Sequence, residues 1–240
     1  MLKGDAVLTF AVPDASAVVP VLFKRGVGYR QTTVTDLETG EEISDCFAKC
    51  IALEDDAAGE ADALSHESAV RHLENEMAMY EGAALSLQGS VVPTVVHVGE
   101  FDMGAGKQAV LVTRNVGNAL CSREGKRMAR TQGLLAVKKR VHAALRSLHE
   151  AGIVHGDMGL RNVTIREDGG VYLIDLGSAS CAGGDASRDF ELFDMDFNAT
   201  FEAELASSGG NSFAKRPSPR QFLRSSISSI SRLSVSGKMD

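Results

Sequence analysis

The chain has 240 residues, of which 44% are hydrophobic and 24% are charged, as is typical of a folded globular protein. No apolar run approaches the roughly 20 residues of a membrane span, and the N-terminus lacks a secretory signal. We therefore expect a cytoplasmic protein with no membrane partner, with the nucleus as the alternative location. The net charge is −7. Four cysteines without a zinc-like spacing indicate buried free thiols and exclude a disulfide-rich class.

The first part of the chain is rich in β-type segments. Strands are predicted at 6–12, 18–23 and 31–34, and the last two flank a turn that contains Gly26 and Gly28. Because glycine lacks a β-carbon, the backbone N–H groups of such a turn can approach a phosphate closely. A plain hairpin turn explains the two glycines equally well, so both interpretations stay open.

A lysine, Lys49, lies within the next apolar strand, predicted at 46–53. It must find a partner, because an unpaired ammonium group is costly to bury. A helix predicted to begin near residues 65–68 and to end near residue 87 follows a small, acidic loop. This helix offers two carboxylates as partners, Glu74 and Glu76.

Further elements are predicted in the middle of the chain. Two strands at 91–100 and 108–113 precede an amphipathic helix over 132–150, which Ala151-Gly152 ends. The expected inner face of this helix consists of Leu134, Leu135, Val137, Val141, Leu145 and Leu148. The helix is interpreted as a scaffold for the segment that follows it.

That segment contains the most informative pattern of the chain. Two short apolar runs, 163–166 and 171–174, flank a polar loop rich in glycine and predict an antiparallel hairpin. Its open end brings Asn162 and Asp175 together, and such oxygen ligands suit magnesium with its bound phosphates. Asp157 lies close enough in sequence to orient or deprotonate an alcohol beside the same phosphate.

The motifs His155-Gly156-Asp157, Asn162 and Asp175-Leu176-Gly177 resemble the catalytic loop and metal-binding segment of the protein-kinase-like superfamily. The likeness extends from residue 18 to about 205 and is greatest to its small atypical, fungal-type members. It implies an α+β, bilobal fold with a β-rich N-terminal lobe and a reduced α-helical C-terminal lobe. ATP and Mg²⁺ are the implied cofactors.

The resemblance also implies roles for single residues. Lys49 would hold the α- and β-phosphates, and Glu76 is favoured over Glu74 as its partner. Asp157 would act on the acceptor hydroxyl. The implied catalytic set is Asp157, Lys49, Glu76 and Asn162, and the implied metal ligands are Asn162 and Asp175. The implied nucleotide-binding residues are Gly26, Gly28, Lys49, Thr113 and Asn115, of which Thr113 and Asn115 belong to a hinge beneath the adenine.

Three positions depart from the pattern of eukaryotic protein kinases. Gly156 stands in place of the usual arginine, and Leu176 in place of phenylalanine. Gly159 stands where a lysine usually contacts the transferred phosphate, and Arg161 could supply that charge instead. No Ala-Pro-Glu segment follows, so a long activation loop is not expected.

The C-terminal region divides into a helix and a tail. An acidic amphipathic helix is predicted over 186–206, with Phe190, Phe193, Phe197 and Phe201 facing inward. The predicted organisation is an N-terminal lobe (1–113), a C-terminal lobe (114–206) and a basic, Ser-rich tail (207–240). The tail is expected to be disordered and could contact an anionic partner, with a helix as the alternative.

The predicted function is that of an ATP- and Mg²⁺-dependent phosphotransferase that transfers the γ-phosphate to a hydroxyl group, foremost that of a protein Ser or Thr. The alternatives are a small-molecule kinase and a catalytically weak pseudokinase that serves as a nucleotide-binding or scaffold module. The partners are then ATP and a protein or small-molecule acceptor.

Overall fold

A computed structural model describes residues 6–10, 21–22, 26–36, 39–53, 60–102 and 107–208. The chain divides into two compact units, residues 1–201 and 202–240. The predicted site residues lie in the first unit. The predicted tail from residue 209 onward lies outside the described residues.

An antiparallel sheet forms the N-terminal part of the first unit. Its described strands are β1 (Ala6–Phe10), β2 (Val21–Leu22), β3 (Gly26–Asp36), β4 (Glu42–Ala52), β5 (Val95–Asp102) and β6 (Lys107–Arg114). The strand order is β1-β3-β4-β6-β5, with β2 also paired to β3. Successive side chains of a strand point to opposite faces. Cys46, Ala48 and Cys50 of β4 therefore enter one apolar core with Val110, which leaves Lys49 on the other face.

Helix α1 (Glu60–Glu81) packs against β4 and β6. It begins before the predicted start near 65–68, so the prediction of a loop there was wrong for residues 60–64. Those residues combine acidic side chains, which are favourable near a helix N-terminus, with strong helix formers. A 3₁₀ turn at Leu85–Leu87 follows the helix.

The C-terminal part consists of helices and one small sheet. Its elements are β7 (Asn118–Ala119), α2 (Arg123–Gln132), α3 (Leu134–Glu150), β8 (Val163–Ile165), β9 (Val171–Leu173) and α4 (Ala186–Ser208). Strands β8 and β9 form the predicted antiparallel hairpin, with Val163 opposite Leu173. Strand β7 adds a third strand that the sequence did not predict.

The helix predicted over 132–150 is confirmed as α3, which begins two residues later than predicted, at Leu134. Gly133 has a φ of 85° and separates α2 from α3, because a left-handed backbone interrupts a helix and favours glycine. Leu135 is 60% exposed, contrary to the expected inner face, whereas Val137, Val141, Leu145 and Leu148 are buried.

The remaining expectations on packing are mostly confirmed. Phe193, Phe197 and Phe201 of α4 are buried as predicted, while Phe190 is half-buried. All four cysteines are free, but Cys121 and Cys181 are exposed, so the expectation of burial was wrong for these two. The arrangement confirms the α+β class, with a β-rich N-terminal lobe and a reduced helical C-terminal lobe. None of the described helices is long and apolar enough to cross a membrane.

Candidate active site

Lys49 binds two carboxylates from different elements. Its Nζ donates to Glu76 Oε2 at 2.7 Å and to Asp175 Oδ1 at 2.8 Å. The side chains of Lys49 and Glu76 are only 9% and 5% exposed. Glu74 is exposed on the outer face of α1, so Glu76 is the partner of Lys49.

The electrostatics of this cluster keep the lysine charged. Burial acts to lower the pKa of Lys49, but Glu76 and Asp175 together raise it above its ordinary value. Burial acts to raise the pKa of Asp175, and the ammonium group beside it brings the net shift downward. Burial raises the pKa of Glu76. Asp175 has a left-handed backbone, with a φ of 63°, which is uncommon for any residue other than glycine.

Asp157 and Asn162 lie side by side in the segment predicted to be the catalytic loop. Asn162 Nδ2 donates to the backbone oxygen of Asp157 at 2.7 Å and to its Oδ2 at 3.2 Å. Arg161 Nη2 lies 2.6 Å from Asp157 Oδ1. The Asp157 carboxylate is therefore held by two neighbours from the 3₁₀ turn Leu160–Asn162.

The hairpin β8-β9 joins this loop to the predicted metal-binding segment. Ile174 donates its backbone N–H to the oxygen of Asn162 at 3.0 Å, which places Asp175 directly after the paired position. Among the described residues, no group of three or more His, Cys, Asp or Glu side chains could by itself hold a metal ion. An amide oxygen from Asn162 and a carboxylate from Asp175 fit magnesium, which takes its other ligands from water and phosphates.

Asp189, which the sequence did not single out, fixes the backbone of the loop that contains His155, Gly156 and Asp157. Its carboxylate is buried and accepts hydrogen bonds from the backbone N–H groups of His155 at 2.8 Å and Gly156 at 3.0 Å. His149 Nε2 lies 2.9 Å from the same carboxylate. An acidic residue among the inward phenylalanines of α4 was the available signal, because a buried carboxylate requires partners.

The ring of His155 continues this network. Its Nε2 donates to the backbone oxygen of Ile174 at 3.0 Å, and its Nδ1 accepts from the N–H of Asp157 at 3.4 Å. His155 is fully buried. It therefore links the loop of Asp157 to the residue before Asp175.

The nucleotide-binding predictions have a mixed outcome in the structure. Gly26 and Gly28 begin β3, and Gly28 lies opposite Lys49, so the prediction that they form the turn between strands was wrong. Val21 of β2 pairs with Gly28 of β3, and residues 23–25 between the two strands lie outside the described residues. The predicted role of both glycines at the phosphates stays a prediction.

The predicted hinge follows β6. Thr113 is buried at the end of this strand. Asn115 donates its backbone N–H to Asp45 O at 3.0 Å and its Nδ2 to Asp45 Oδ1 at 2.9 Å. These two donors of Asn115 are therefore used within the chain, and its predicted contact with adenine rests on its backbone oxygen.

Comparison with known proteins adds an independent line of evidence. The model of the lipopolysaccharide kinase (Kdo/WaaP) family matches residues 58–202. A segment of 60 residues, 25% of this chain, is 35% identical to the human hormonally up-regulated neu tumor-associated kinase. The mouse counterpart is 44% identical over 41 residues, 17% of this chain. The matched segments span only 8% and 6% of these two relatives.

Among solved structures, the chain is similar to monomeric WbdD. The TM-score is 0.46 at 19% sequence identity, and the match covers 74% of this chain and 38% of that one.

Proposed function

Since the chain belongs to the lipopolysaccharide kinase (Kdo/WaaP) family, we propose that it is an ATP- and Mg²⁺-dependent phosphotransferase that phosphorylates a hydroxyl group. The observation that carries the proposal is the buried Lys49, bound at once to Glu76 of α1 and to Asp175. In kinases a lysine held by a helix glutamate contacts the nucleotide phosphates. No other described lysine has this combination of burial and two carboxylate partners.

Asp157, Asn162 and Asp175 would perform the remaining steps of the transfer. Asn162 and Asp175 would hold magnesium, which when bound neutralises charge on the β- and γ-phosphates. Asp157 would accept the proton of the acceptor hydroxyl. As that oxygen bonds to the γ-phosphorus, the bond from phosphorus to the bridging oxygen breaks and ADP leaves.

Arg161 would supply the positive charge that Gly159 cannot. Its guanidinium group lies beside Asp157 and is largely exposed, so it can reach a phosphate that arrives at the same carboxylate. Gly159 is buried in the loop and offers no side chain. A guanidinium group binds phosphate oxygens through two parallel hydrogen bonds.

For the acceptor, a saccharide hydroxyl is the first candidate. The family that matches most of the chain is described by its action on lipopolysaccharide, and only residues 178–185 separate the metal-binding segment from α4. Such a short connection leaves little chain to position a peptide. Protein Ser or Thr, as predicted from the sequence, is the second candidate.

The experiment measures ADP formation from MgATP with saccharide and protein acceptors. Asp157→Ala should lower kcat by about 10²–10⁴-fold with little change in ATP affinity, because Asp157 faces the acceptor. Glu167→Ala, on the exposed hairpin loop, serves as the control carboxylate and should leave turnover unchanged. If wild type turned over no faster than Asp157→Ala with every acceptor, the proposal of an active phosphotransferase would be contradicted. The chain would then be interpreted as a pseudokinase.

The metal assignment has its own test. Asp175→Asn removes the carboxylate proposed to bind magnesium, so the additional thermal shift that MgCl₂ gives with ATP should disappear. A shift that persists in this variant would show that the metal lies elsewhere.

A further inference from the structure

Helix α1 reaches the metal-binding segment with more than Glu76. His72 lies four positions before Glu76 and three before Asn75, so the helical repeat makes it a neighbour of each of them. His72 Nε2 lies 3.5 Å from Asp175 Oδ1, the oxygen that also binds Lys49. One carboxylate oxygen thus faces two cationic or donor groups, one from β4 and one from α1.

Asn75 fixes the backbone just beyond that carboxylate. Its Nδ2 donates to the backbone oxygen of Gly177 at 2.9 Å and to that of Ala179 at 3.0 Å. Both acceptors belong to the 3₁₀ turn Leu176–Ser178 or follow it directly. A single side chain of α1 therefore binds two carbonyls of the segment that carries Asp175.

The packing between the two elements is specific for the residue types present. A β-carbon on Gly177 would overlap the imidazole ring of His72. Gly177 is buried, so the ring occupies the space that a side chain at this position would need. Gly177 and His72 are thus complementary in shape, because the ring of His72 fills the space left by the missing side chain of Gly177.

From these contacts, and resting on the proposed phosphotransferase function, we infer that His72 and Asn75 are positioning residues. They hold Asp175 and its turn against α1, so that Lys49 pairs with Glu76 without a phosphorylated activation segment. Only residues 179–185 connect this turn to α4. A connection of this length is too short to form a long activation loop that rearranges the site. The active arrangement is therefore built into the contact between α1 and the turn.

The test compares His72→Ala and Asn75→Ala with Glu74→Ala, an exposed residue of the same helix. Amide hydrogen exchange of residues 175–180 is measured in the absence of nucleotide and metal. Loss of the two Asn75 hydrogen bonds should accelerate this exchange by about tenfold or more, since each bond contributes a factor of about two to ten. Glu74→Ala should exchange like wild type, and equal exchange in all four proteins would overturn the inference.

Kinetics then separate positioning from mere structural support. Both variants should lower kcat by about tenfold and raise the Mg²⁺ concentration for half-maximal rate, with KM for ATP changed less and the melting temperature within a few degrees of wild type. His72→Gln retains a donor near Asp175 and should restore most of the rate. If kcat of the variants fell only as far as their loss of folding stability explains, His72 and Asn75 would be structural residues and not positioning residues.

A double-variant cycle examines the fit between ring and glycine. Gly177→Ala should impair turnover, and Gly177→Ala with His72→Ala should be no worse than His72→Ala alone, because the overlap is then removed. Additive losses would overturn the proposed packing. If wild type shows no turnover with any acceptor, the proposed function fails, while the hydrogen exchange results still decide whether α1 holds the turn.

Discussion

At the scale of single residues, Lys49 combines a structural role with its proposed catalytic one. Removal of one partner of a buried ion pair costs about 3–5 kcal/mol, because the other charge stays buried. Lys49→Ala would leave Glu76 in this condition, since Glu76 is almost fully buried. Loss of turnover in Lys49→Ala therefore reports on folding and phosphate binding together. Asp157, which is half-exposed, gives the cleaner test of chemistry.

The cysteines provide a prediction at the same scale. Burial raises the pKa of Cys50 to about 12, and burial is also the main cause of the raised pKa of Cys46. The thiolate is the reactive species. At pH 8 a chromogenic disulfide should therefore react rapidly with two thiols per chain, those of the exposed Cys121 and Cys181.

Denaturation should bring this number to four. Cys121→Ser and Cys181→Ser should each remove one rapid equivalent from the native protein, whereas Cys50→Ser should remove none. Rapid reaction of three thiols in the native state would contradict the described burial of Cys46 and Cys50.

At the scale of elements, α2 shows close packing against a backbone. A β-carbon on Gly125 would overlap the backbone of Ala119 in β7. In an exposed helix, Gly→Ala would add about 1 kcal/mol of stability. Here the overlap outweighs that gain, and Gly125→Ala should lower the free energy of unfolding by about 1–3 kcal/mol. The measurement is urea denaturation, with Arg123→Ala on the exposed face of α2 as the control. A stabilised Gly125→Ala would show that α2 can move away from β7.

The elements also show which features a sequence can reveal. The hairpin β8-β9 was predictable because it depends on a local sequence pattern. The pairing of Lys49 was predictable because an unpaired buried charge is costly. Helix α2 was not predicted because half of its ten residues are charged, and only Gly125, Met128 and Ala129 are buried.

The remaining gaps concern contacts between residues distant in sequence. Asp189 of α4 binds the loop that contains His155 and Gly156, and Asn75 of α1 binds the turn after Asp175. The residue type of Asn75 does not distinguish a buried partner from a surface side chain, and the signal for Asp189 was limited to its place among the inward phenylalanines of α4. Such contacts depend on how each helix packs against the rest of the fold. The spacing of hydrophobic residues along the sequence does not determine this packing.

At the scale of the whole molecule, charge is unevenly distributed along the chain. The chain has a net charge of −7, yet residues 211–240 hold six basic side chains against one acidic side chain. These basic residues are Lys215, Arg216, Arg220, Arg224, Arg232 and Lys238. We predict that this segment acts through its charge and contributes little to folding.

Deletion of residues 211–240 should therefore leave the melting temperature within about 2 °C of the full chain at 150 mM salt, because a shift of this size corresponds to at most about 1 kcal/mol in a chain of this length. At 10 mM salt the two proteins should differ more, since the screening length increases from about 8 Å to about 30 Å. Differential scanning calorimetry at both salt concentrations measures the effect.

A full-length variant with the six basic residues replaced by glutamine separates charge from chain length, and it should behave like the deletion. A drop of many degrees at 150 mM salt in the deletion, but not in the glutamine variant, would instead show that residues 211–240 pack as a structural helix.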